Sequence, residues 1–412
     1  MNILHINASD ISGGAARAAY RLHCSLLQAG VGSNMQVWSK ASGDPTVSGN
    51  SSKVGRILTE VRSGVGMLAN ATMKVANPAR HSINLLPSGW VQSLNASDAD
   101  IIHLHWLGAE TLSIREIAQI RKPIVWTFHD MWAFCGAEHY TADGLDARWR
   151  HGYNSHNRPG DESGFDLNYW TAQRKQHHWQ KPFNLVCPSN WLAECVRASA
   201  LMGDWPVTVI PNPLNLNNFH PIDKKLARKL LNLPQDKALV LFGAIGGSDD
   251  PRKGSDLLIS ALNYLEAFQV ELIIFGQSRP VRVPELGFPI RYMDHLHDEI
   301  SLALLYSAVD VFVAPSRQDN LPNTVVEAIA CGTPTVAFKI GGMPDLIQHQ
   351  VSGYLALPDD VKDLAKGIEW VLEQQSHNNS LGDAARQHAE LNFDADLVAA
   401  QYLSVYQAAL KA

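Results

Sequence analysis

The chain has few of the features that mark secreted, membrane-spanning or nucleic-acid-binding proteins. Its five cysteines form no Cys-x-x-Cys pair, and their odd number and scatter predict reduced, buried thiols. No window approaches the roughly 18 apolar residues of a membrane-spanning helix. A formal net charge of -6 argues against a general nucleic-acid binder. The first residues read directly as a strand, without a signal peptide, so we expect a cytoplasmic protein.

Short apolar strands alternate with helical stretches along the 412 residues, a pattern typical of parallel sheets covered by helices on both faces. The length indicates two domains. The predicted strands are Ile3–Asn7, Met35–Trp38, Ile101–His105, Ile124–Phe128, Leu185–Pro188 and Val207–Ile210, then Leu239–Gly243, Val270–Phe275, Ile290–Met293, Val311–Ala314 and Thr335–Phe338.

A segment rich in Pro and Asn, residues 211–221, separates the two strand sets and is predicted to be the interdomain linker. The sequence therefore predicts an α/β protein with a Rossmann-like domain at 1–211 and a second at 212–394. Two facing, doubly wound sheets place the carboxyl ends of their strands on a shared cleft, where we expect ligands to bind. The last helix, within 395–412, is predicted to cross back onto the first domain.

The most informative stretch is residues 315–334, which reads as a loop after a buried strand and then a short helix ending at Gly332. Asp319 precedes this helix and Glu327 lies within it, eight residues later. A helix amino end offers backbone N–H groups to a phosphate, and a carboxylate accepts hydrogen bonds from neighbouring hydroxyls. This arrangement suits a phosphorylated sugar.

The same stretch resembles the family 4 glycosyltransferases of GT-B architecture, retaining enzymes that carry two acidic residues at this spacing. The resemblance extends to Lys253-Gly254, to Gly332-Thr333-Pro334 and to the loop 341–345, and it covers nearly the whole chain. It implies a GT-B fold with two facing Rossmann-like domains. It also implies a nucleotide diphosphate-sugar as co-substrate, with neither cofactor nor metal.

By this resemblance, the carboxyl-terminal half binds the donor. Glu327 binds the ribose hydroxyls, and the backbone of Asn320 and Leu321 contacts the sugar and phosphate. Lys253 holds the diphosphate, and Arg252 takes the place of an Arg that relatives carry in a Gly-Arg pair and this chain lacks. Asp319 stands where the family's first Glu approaches the transferred sugar, although its side chain is one methylene shorter.

In the amino-terminal half, Gly13 and Gly14 resemble the family's glycine loop near the diphosphate; a simple tight turn explains them almost as well. His129 follows a predicted strand, and in relatives this histidine contacts the donor sugar near the reacting carbon. The predicted catalytic set is thus His129, Asp319 and Lys253. His103 and His105 alternate on one strand face, for which cleft lining by His105 is favoured over a metal pair.

Two further segments keep two interpretations each. Residues 131–180 form a long insertion rich in Trp and His, which either recognises the acceptor or is a packed excursion. Residues 53–80 are basic and amphipathic, and either touch anionic lipid at the inner face of the plasma membrane or cover their own sheet.

The resemblance implies a retaining, metal-independent glycosyltransferase that moves a sugar to a growing glycan. The resemblance favours a lipid-linked intermediate of a bacterial surface polysaccharide, such as lipopolysaccharide O-antigen or exopolysaccharide, as the acceptor. The alternatives are another GT-B enzyme, namely a nucleotide-sugar epimerase or a phosphorylase, and a non-catalytic sugar-nucleotide-binding assembly partner.

Overall fold

The computed structural model describes residues 1–50, 61–62, 64, 66, 71–74, 77, 79–243, 250–265, 269–280, 287–296 and 298–411. The chain divides into two compact units. Unit 1 comprises Met1–Pro213 and Val398–Ala412, and unit 2 comprises Leu214–Leu397.

Each unit is built around a parallel β-sheet with helices between the strands. The strands are β1 (Asn2–Ser9), β2 (Gly32–Ser39), β3 (Val47–Asn50), β4 (Met73–Lys74), β5 (Ile101–Leu104), β6 (Ile124–Thr127), β7 (Ser163–Gly164), β8 (Asn184–Cys187), β9 (Val207–Val209), β10 (Ala238–Gly243), β11 (Val270–Phe275), β12 (Ile290–Tyr292), β13 (Val311–Ala314), β14 (Thr335–Phe338) and β15 (Gly353–Ala356). The helices are α1 (Gly14–Gln28), α2 (Val91–Ala96), α3 (Ile114–Gln119), α4 (Arg148–His151), α5 (Leu167–His178), α6 (Asn190–Arg197), α7 (Lys224–Leu230), α8 (Ser255–Leu262), α9 (Glu299–Ala308), α10 (Asn323–Ala330), α11 (Met343–Leu346), α12 (Val361–His377), α13 (Ser380–Asn392) and α14 (Ala395–Ala409), with a 3-10 turn at Pro251–Lys253.

The sheet of unit 1 has seven strands in the order β3-β2-β1-β5-β6-β8-β9. All neighbouring pairs are parallel, and the order reverses between β1 and β5. One face packs on a core that contains Leu104 and Trp126. The other face packs Ile3 and Val125 against Tyr406 of α14. Apolar side chains on both faces explain why these strands are continuous apolar runs.

The sheet of unit 2 has six parallel strands in the order β12-β11-β10-β13-β14-β15, which reverses between β10 and β13. Apolar clusters cover both of its faces. In an open parallel sheet, ligands bind beyond the carboxyl ends of the strands at the point where the order reverses. In unit 2 that point lies beyond Gly243 and Ala314.

The prediction of two doubly wound α/β sheets is confirmed, with strand ends shifted by a few residues. The sequence missed β3, β15 and the short antiparallel pair β4–β7. All five cysteines lie in the described part of the chain and are free thiols, four of them buried. Among the described residues, every helix is too short or too polar to cross a bilayer.

Candidate functional site

Two loops of unit 2 are joined at the carboxyl ends of β10 and β13. The backbone N–H of Arg317 donates to the carbonyl of Arg252 at 2.8 Å, and its guanidinium pairs with Asp256 at 2.6 Å. Gly254 allows this approach: it has φ +67°, and a Cβ there would lie 1.9 Å from the carbonyl oxygen of Pro315. The glycine of the Lys-Gly pair therefore brings residues 250–254 against residues 315–317.

These joined loops bring together three of the predicted site residues, Lys253, Arg252 and Asp319. Lys253 Nζ lies 2.6 Å from Asp319 Oδ2, and Arg252 Nη1 lies 3.7 Å from the same oxygen. Burial by itself raises the pKa of the Asp319 carboxyl, but Lys253 and then Arg252 outweigh it, so that the pKa lies below its usual value. Arg252 also pairs with Asp250 at 3.0 Å, so the site holds two cations and two carboxylates.

The backbone around Asp319 is closed by a third loop. Its carbonyl accepts a hydrogen bond from the N–H of Gly342 at 3.1 Å. Gly341 has φ +50°, and a Cβ there would lie 1.9 Å from the Asp319 carbonyl oxygen. Asn320 and Leu321, the two residues that follow, are buried. This packing fixes the chain just before α10.

Glu327 lies in the second turn of α10 and is only 2% exposed. Its Oε2 accepts a hydrogen bond from the Tyr306 hydroxyl of α9 at 2.9 Å. Glu327 is therefore a buried carboxylate that the packing of α9 and α10 holds in place. Tyr306 was not predicted, because a tyrosine within an apolar helix reads as core.

The other predicted site residues belong to unit 1. Gly13 is the N-cap of α1, and Gly14 is its first residue. His129 follows β6 and is part-buried, with Nε2 3.3 Å from Nδ1 of His105. His105 is itself 2% exposed, and its ring is buried between those of His129 and His5. Its expected place at the cleft stays a prediction.

His5 completes a group that the sequence did not predict. One ring nitrogen from each of His5, His103 and His105 lies within 4.8 Å of the others, a spacing at which the three rings have the donor type that Zn²⁺ prefers. The sequence signal for His103 and His105 was their alternation on one strand. His5 lies on β1, and only the pairing of β1 with β5 places it beside His103.

The insertion 131–180 is packed through most of its aromatic residues. Trp132, Trp149 and Trp179 are buried in the core of unit 1. The ammonium of Lys175 is also buried and donates to the carbonyls of Trp132, Cys135 and Gly136. These residues support the packed alternative for this part of the insertion. Most of the basic stretch 53–80 lies outside the described residues.

Comparison with known proteins places this geometry in a family. Residues 12–218 match the family model described as Glycosyltransferase Family 4, and residues 237–374 match the model described as Glycosyl transferases group 1. The D-inositol 3-phosphate glycosyltransferase of Thermobispora bispora is 31% identical over 222 residues, which are 50% of this chain and 51% of that protein. The chain thus spans about half the length of the curated relatives that it matches.

Among solved structures, sucrose-phosphate synthase from Thermosynechococcus elongatus aligns with a TM-score of 0.68 and 20% identity, over 99% of this chain and 98% of that one. HepE from Anabaena, solved in complex with UDP-glucose, aligns with a TM-score of 0.65 and 17% identity, over 99% and 100%. The fold is therefore that of the GT-B glycosyltransferases. The chain belongs to glycosyltransferase family 4.

Proposed function

We propose that this protein is a retaining, metal-independent glycosyltransferase that takes a sugar from a nucleotide diphosphate-sugar bound to unit 2. The observation that carries the proposal is the pair of cations, Lys253 and Arg252, held where the strand order of unit 2 reverses. A diphosphate leaving group carries growing negative charge, which fixed cations stabilise without reorganisation. The HepE structure with UDP-glucose supports a donor of this class.

In this proposal, each site residue of unit 2 has one task. Lys253 and Arg252 hold the diphosphate, together with backbone N–H groups before and within the first turn of α10, including those of Asn320 and Leu321. Glu327 accepts hydrogen bonds from the ribose hydroxyls, with Tyr306 holding its carboxylate from the protein side. Asp319 keeps Lys253 in place through their 2.6 Å ion pair, in addition to its predicted approach to the transferred sugar.

The transfer step follows the family mechanism in this proposal. No enzyme nucleophile is required, because the acceptor hydroxyl attacks from the face that the leaving phosphate vacates and a phosphate oxygen takes its proton. The predicted roles of His129, Gly13 and Gly14, contact with the donor sugar and the diphosphate, stay predictions of the resemblance. The proposed acceptor is a growing glycan, on a lipid carrier at the cytoplasmic face of a membrane.

A binding screen with a matched pair of variants tests the donor site. A nucleotide-sugar at 100 times its Kd stabilises the protein by about 2.7 kcal/mol, so thermal shifts across a donor panel identify the ligand. We expect Glu327→Gln to weaken binding by about 10- to 100-fold, since charge-assisted hydrogen bonds contribute roughly 1.5–3 kcal/mol. Glu271→Gln is the control, because Glu271 is equally buried in unit 2 but pairs with Lys237 and Arg291 at the start of β11.

Product analysis with the identified donor separates the remaining alternatives. Transfer to a lipid-linked glycan, with retained anomeric configuration and full activity in EDTA, is the expected result. Loss of activity with chelator would contradict the metal-free mechanism. An altered nucleotide-sugar without acceptor indicates an epimerase, phosphate-dependent release indicates a phosphorylase, and binding without turnover indicates an assembly partner. Equal donor affinity in Glu327→Gln and the wild type would contradict the proposed binding of the ribose by Glu327.

A further inference from the structure

A group of histidines lies among the apolar side chains on the face of the unit 1 sheet beneath α1 and α14. The register of β1 and β5 places His5 beside His103, and His105 lies on the same face two residues later. The rings of His103 and His105 are 4.1 Å apart, and those of His5 and His105 are 5.2 Å apart and stacked. His23 of α1 lies 5.8 Å from His5. Apolar packing does not explain four histidines in one buried group, because each imidazole ring brings two polar nitrogens into the interior.

Two of these rings, those of His5 and His105, form a hydrogen-bonded chain with His129, the predicted site histidine. His129 Nε2 lies 3.3 Å from His105 Nδ1, and His105 Nε2 lies 2.9 Å from His5 Nδ1. The far end, Nε2 of His5, is buried and has no partner among the described residues. His23 and His103 stay outside the chain, because their nitrogens bond to hydroxyl groups.

The hydrogen bonds between His5, His105 and His129 couple the positions of the protons on the three rings. Burial lowers the pKa of His129 to about 4 and holds the pKa of His105 and His5 well below its usual value, so all three rings are neutral at pH 7. A neutral imidazole has one N–H donor and one bare acceptor nitrogen. Each ring in such a chain must therefore donate in the same direction as the next.

The unpartnered end selects the direction. Among buried backbone groups, an orphaned N–H is rarer than an under-satisfied acceptor, and the same preference favours a bare Nε2 on His5. Then His5 Nδ1–H donates to His105, and His105 Nδ1–H donates to His129. The carboxylate of the neighbouring Asp130 accepts from His139 Nδ1 at 2.6 Å and from Trp106 Nε1 at 2.7 Å.

A metal ion on His5, His103 and His105 is the competing explanation. The three rings are close enough for it. However, both nitrogens of His103 are already bonded, at 2.7 Å to the Tyr406 hydroxyl and at 2.8 Å to that of Thr127. Both nitrogens of His105 lie within the chain. A bound metal would have to break these bonds, so the geometry favours the chain.

We propose that His105 and His5 are positioning residues that hold His129 in the tautomer with its proton on Nδ1. The role of His129 at the donor rests on the proposed function, whereas the tautomer itself does not. A fixed tautomer presents one defined donor or acceptor to a reacting group. The interior of unit 1 thus sets the chemistry of a residue at its edge.

The test uses one substitution at three positions. A methionine sulfur accepts hydrogen bonds and cannot donate them. In His105→Met, the sulfur therefore requires a proton on Nε2 of His129. In His5→Met, the sulfur requires a proton on Nε2 of His105, which reverses the whole chain although residue 5 does not touch His129. His23→Met is the control, because His23 is buried in the same group but outside the chain.

The tautomers are determined from the nitrogen chemical shifts of protein labelled with 15N-histidine. The signals of His129 are those that are missing from the spectrum of His129→Gln. We expect a protonated Nδ1 in the wild type and in His23→Met, and a protonated Nε2 in His5→Met and His105→Met. We also expect kcat to fall by roughly 10- to 100-fold in His5→Met, while KM for the donor changes little. This is the size of the effect of removing a residue that hydrogen-bonds to a metal-bound imidazole.

Three results would overturn the proposal. The first is a wild-type His129 that is protonated on Nε2, and the second is an unchanged His129 tautomer in His5→Met. The third is one zinc ion per purified chain bound by these histidines. The wild-type spectrum alone decides the direction if a variant fails to fold. Failure of the proposed function would appear as absent turnover in the wild type, with the tautomer pattern unaffected. The two failures are therefore distinguishable.

Discussion

At the scale of single residues, the ion pair of Lys253 with Asp319 is the most consequential contact in unit 2. Asp319 is 6% exposed, and its carboxylate has Lys253 at 2.6 Å and Ser316 Oγ at 3.4 Å. A buried carboxylate is costly unless cations and donors surround it. Asp319 thus needs Lys253 for stability, while the proposed function needs Lys253 for the diphosphate. One lysine serves both.

Substitutions at this pair separate the two tasks. We expect Lys253→Met to lower the free energy of unfolding by about 1–3 kcal/mol. The substitution removes the nearer cation from the buried Asp319 carboxylate and leaves Arg252 at 3.7 Å. It should also abolish the donor-induced thermal shift. The double variant Lys253→Met/Asp319→Asn should recover most of the stability but none of the binding, measured by urea unfolding and calorimetry. Donor affinity restored in the double variant would show that Lys253 does not contact the diphosphate.

At the scale of elements, the site depends on how closely the loops after β10 and β13 approach. The contact is made by backbone groups, since Arg317 N–H donates to the Arg252 carbonyl. In the described parts of these loops, residues 250–254 and 315–322, the regular structure consists of the 3-10 turn Pro251–Lys253, so the shape of each part depends on its contact with the other. A change that separates the loops should therefore displace Lys253 without altering any charged side chain.

Gly254→Ala tests this dependence against a matched glycine. Gly254 and Gly30 both have positive φ, at +67° and +74°, but a Cβ at Gly30 meets nothing within 4 Å. Gly30→Ala should cost only the roughly 1–2 kcal/mol of the left-handed backbone. Gly254→Ala adds the clash with the Pro315 carbonyl, so we expect a larger loss of stability and at least a tenfold weaker donor affinity. Equal effects of the two substitutions in unfolding and binding assays would argue against close loop packing.

At the scale of the whole molecule, the end of the chain is part of unit 1. Residues from Val398 onward belong to that unit, although the preceding 184 residues of sequence, Leu214–Leu397, form the other. Tyr402 and Tyr406 of α14 are buried, and their hydroxyls bond to Thr127 at 3.0 Å and His103 at 2.7 Å. The helix thus covers one face of the sheet that carries the histidine chain.

A truncation series measures what this helix contributes. A chain ending at Leu397 loses the buried side chains of Val398, Tyr402 and Tyr406, each of which contributes roughly 1.5–3 kcal/mol. We expect unit 1 to unfold at a lower denaturant concentration, while the transition of unit 2 is retained. A chain ending at Ala409 is the control, since Leu410 and Lys411 are exposed. Unchanged protease resistance of unit 1 in the shorter chain would contradict this role.

The sequence by itself determined the elements and the family. Val270–Phe275, which is apolar except for Glu271, and Val311–Ala314, which is wholly apolar, were predicted as buried strands, and the predicted and observed bounds agree. β15, with the sequence Gly-Tyr-Leu-Ala, was missed because so short a run has no clear period. The residues around Glu327 identified the family because the loop, the helix start and the acidic side chains follow one another directly in the sequence and can be recognised without the fold.

Only the tertiary structure decided which of these groups meet. Lys253 and Asp319 are 66 residues apart, and His5 and His105 are 100 apart. Tyr306 meets Glu327 only because α9 packs against α10. Local periodicity reports how a segment folds, whereas contacts between segments depend on strand order, register and loop closure. The hydrogen-bonded histidine chain is therefore a property of the folded sheet, although every residue in it is visible in the sequence.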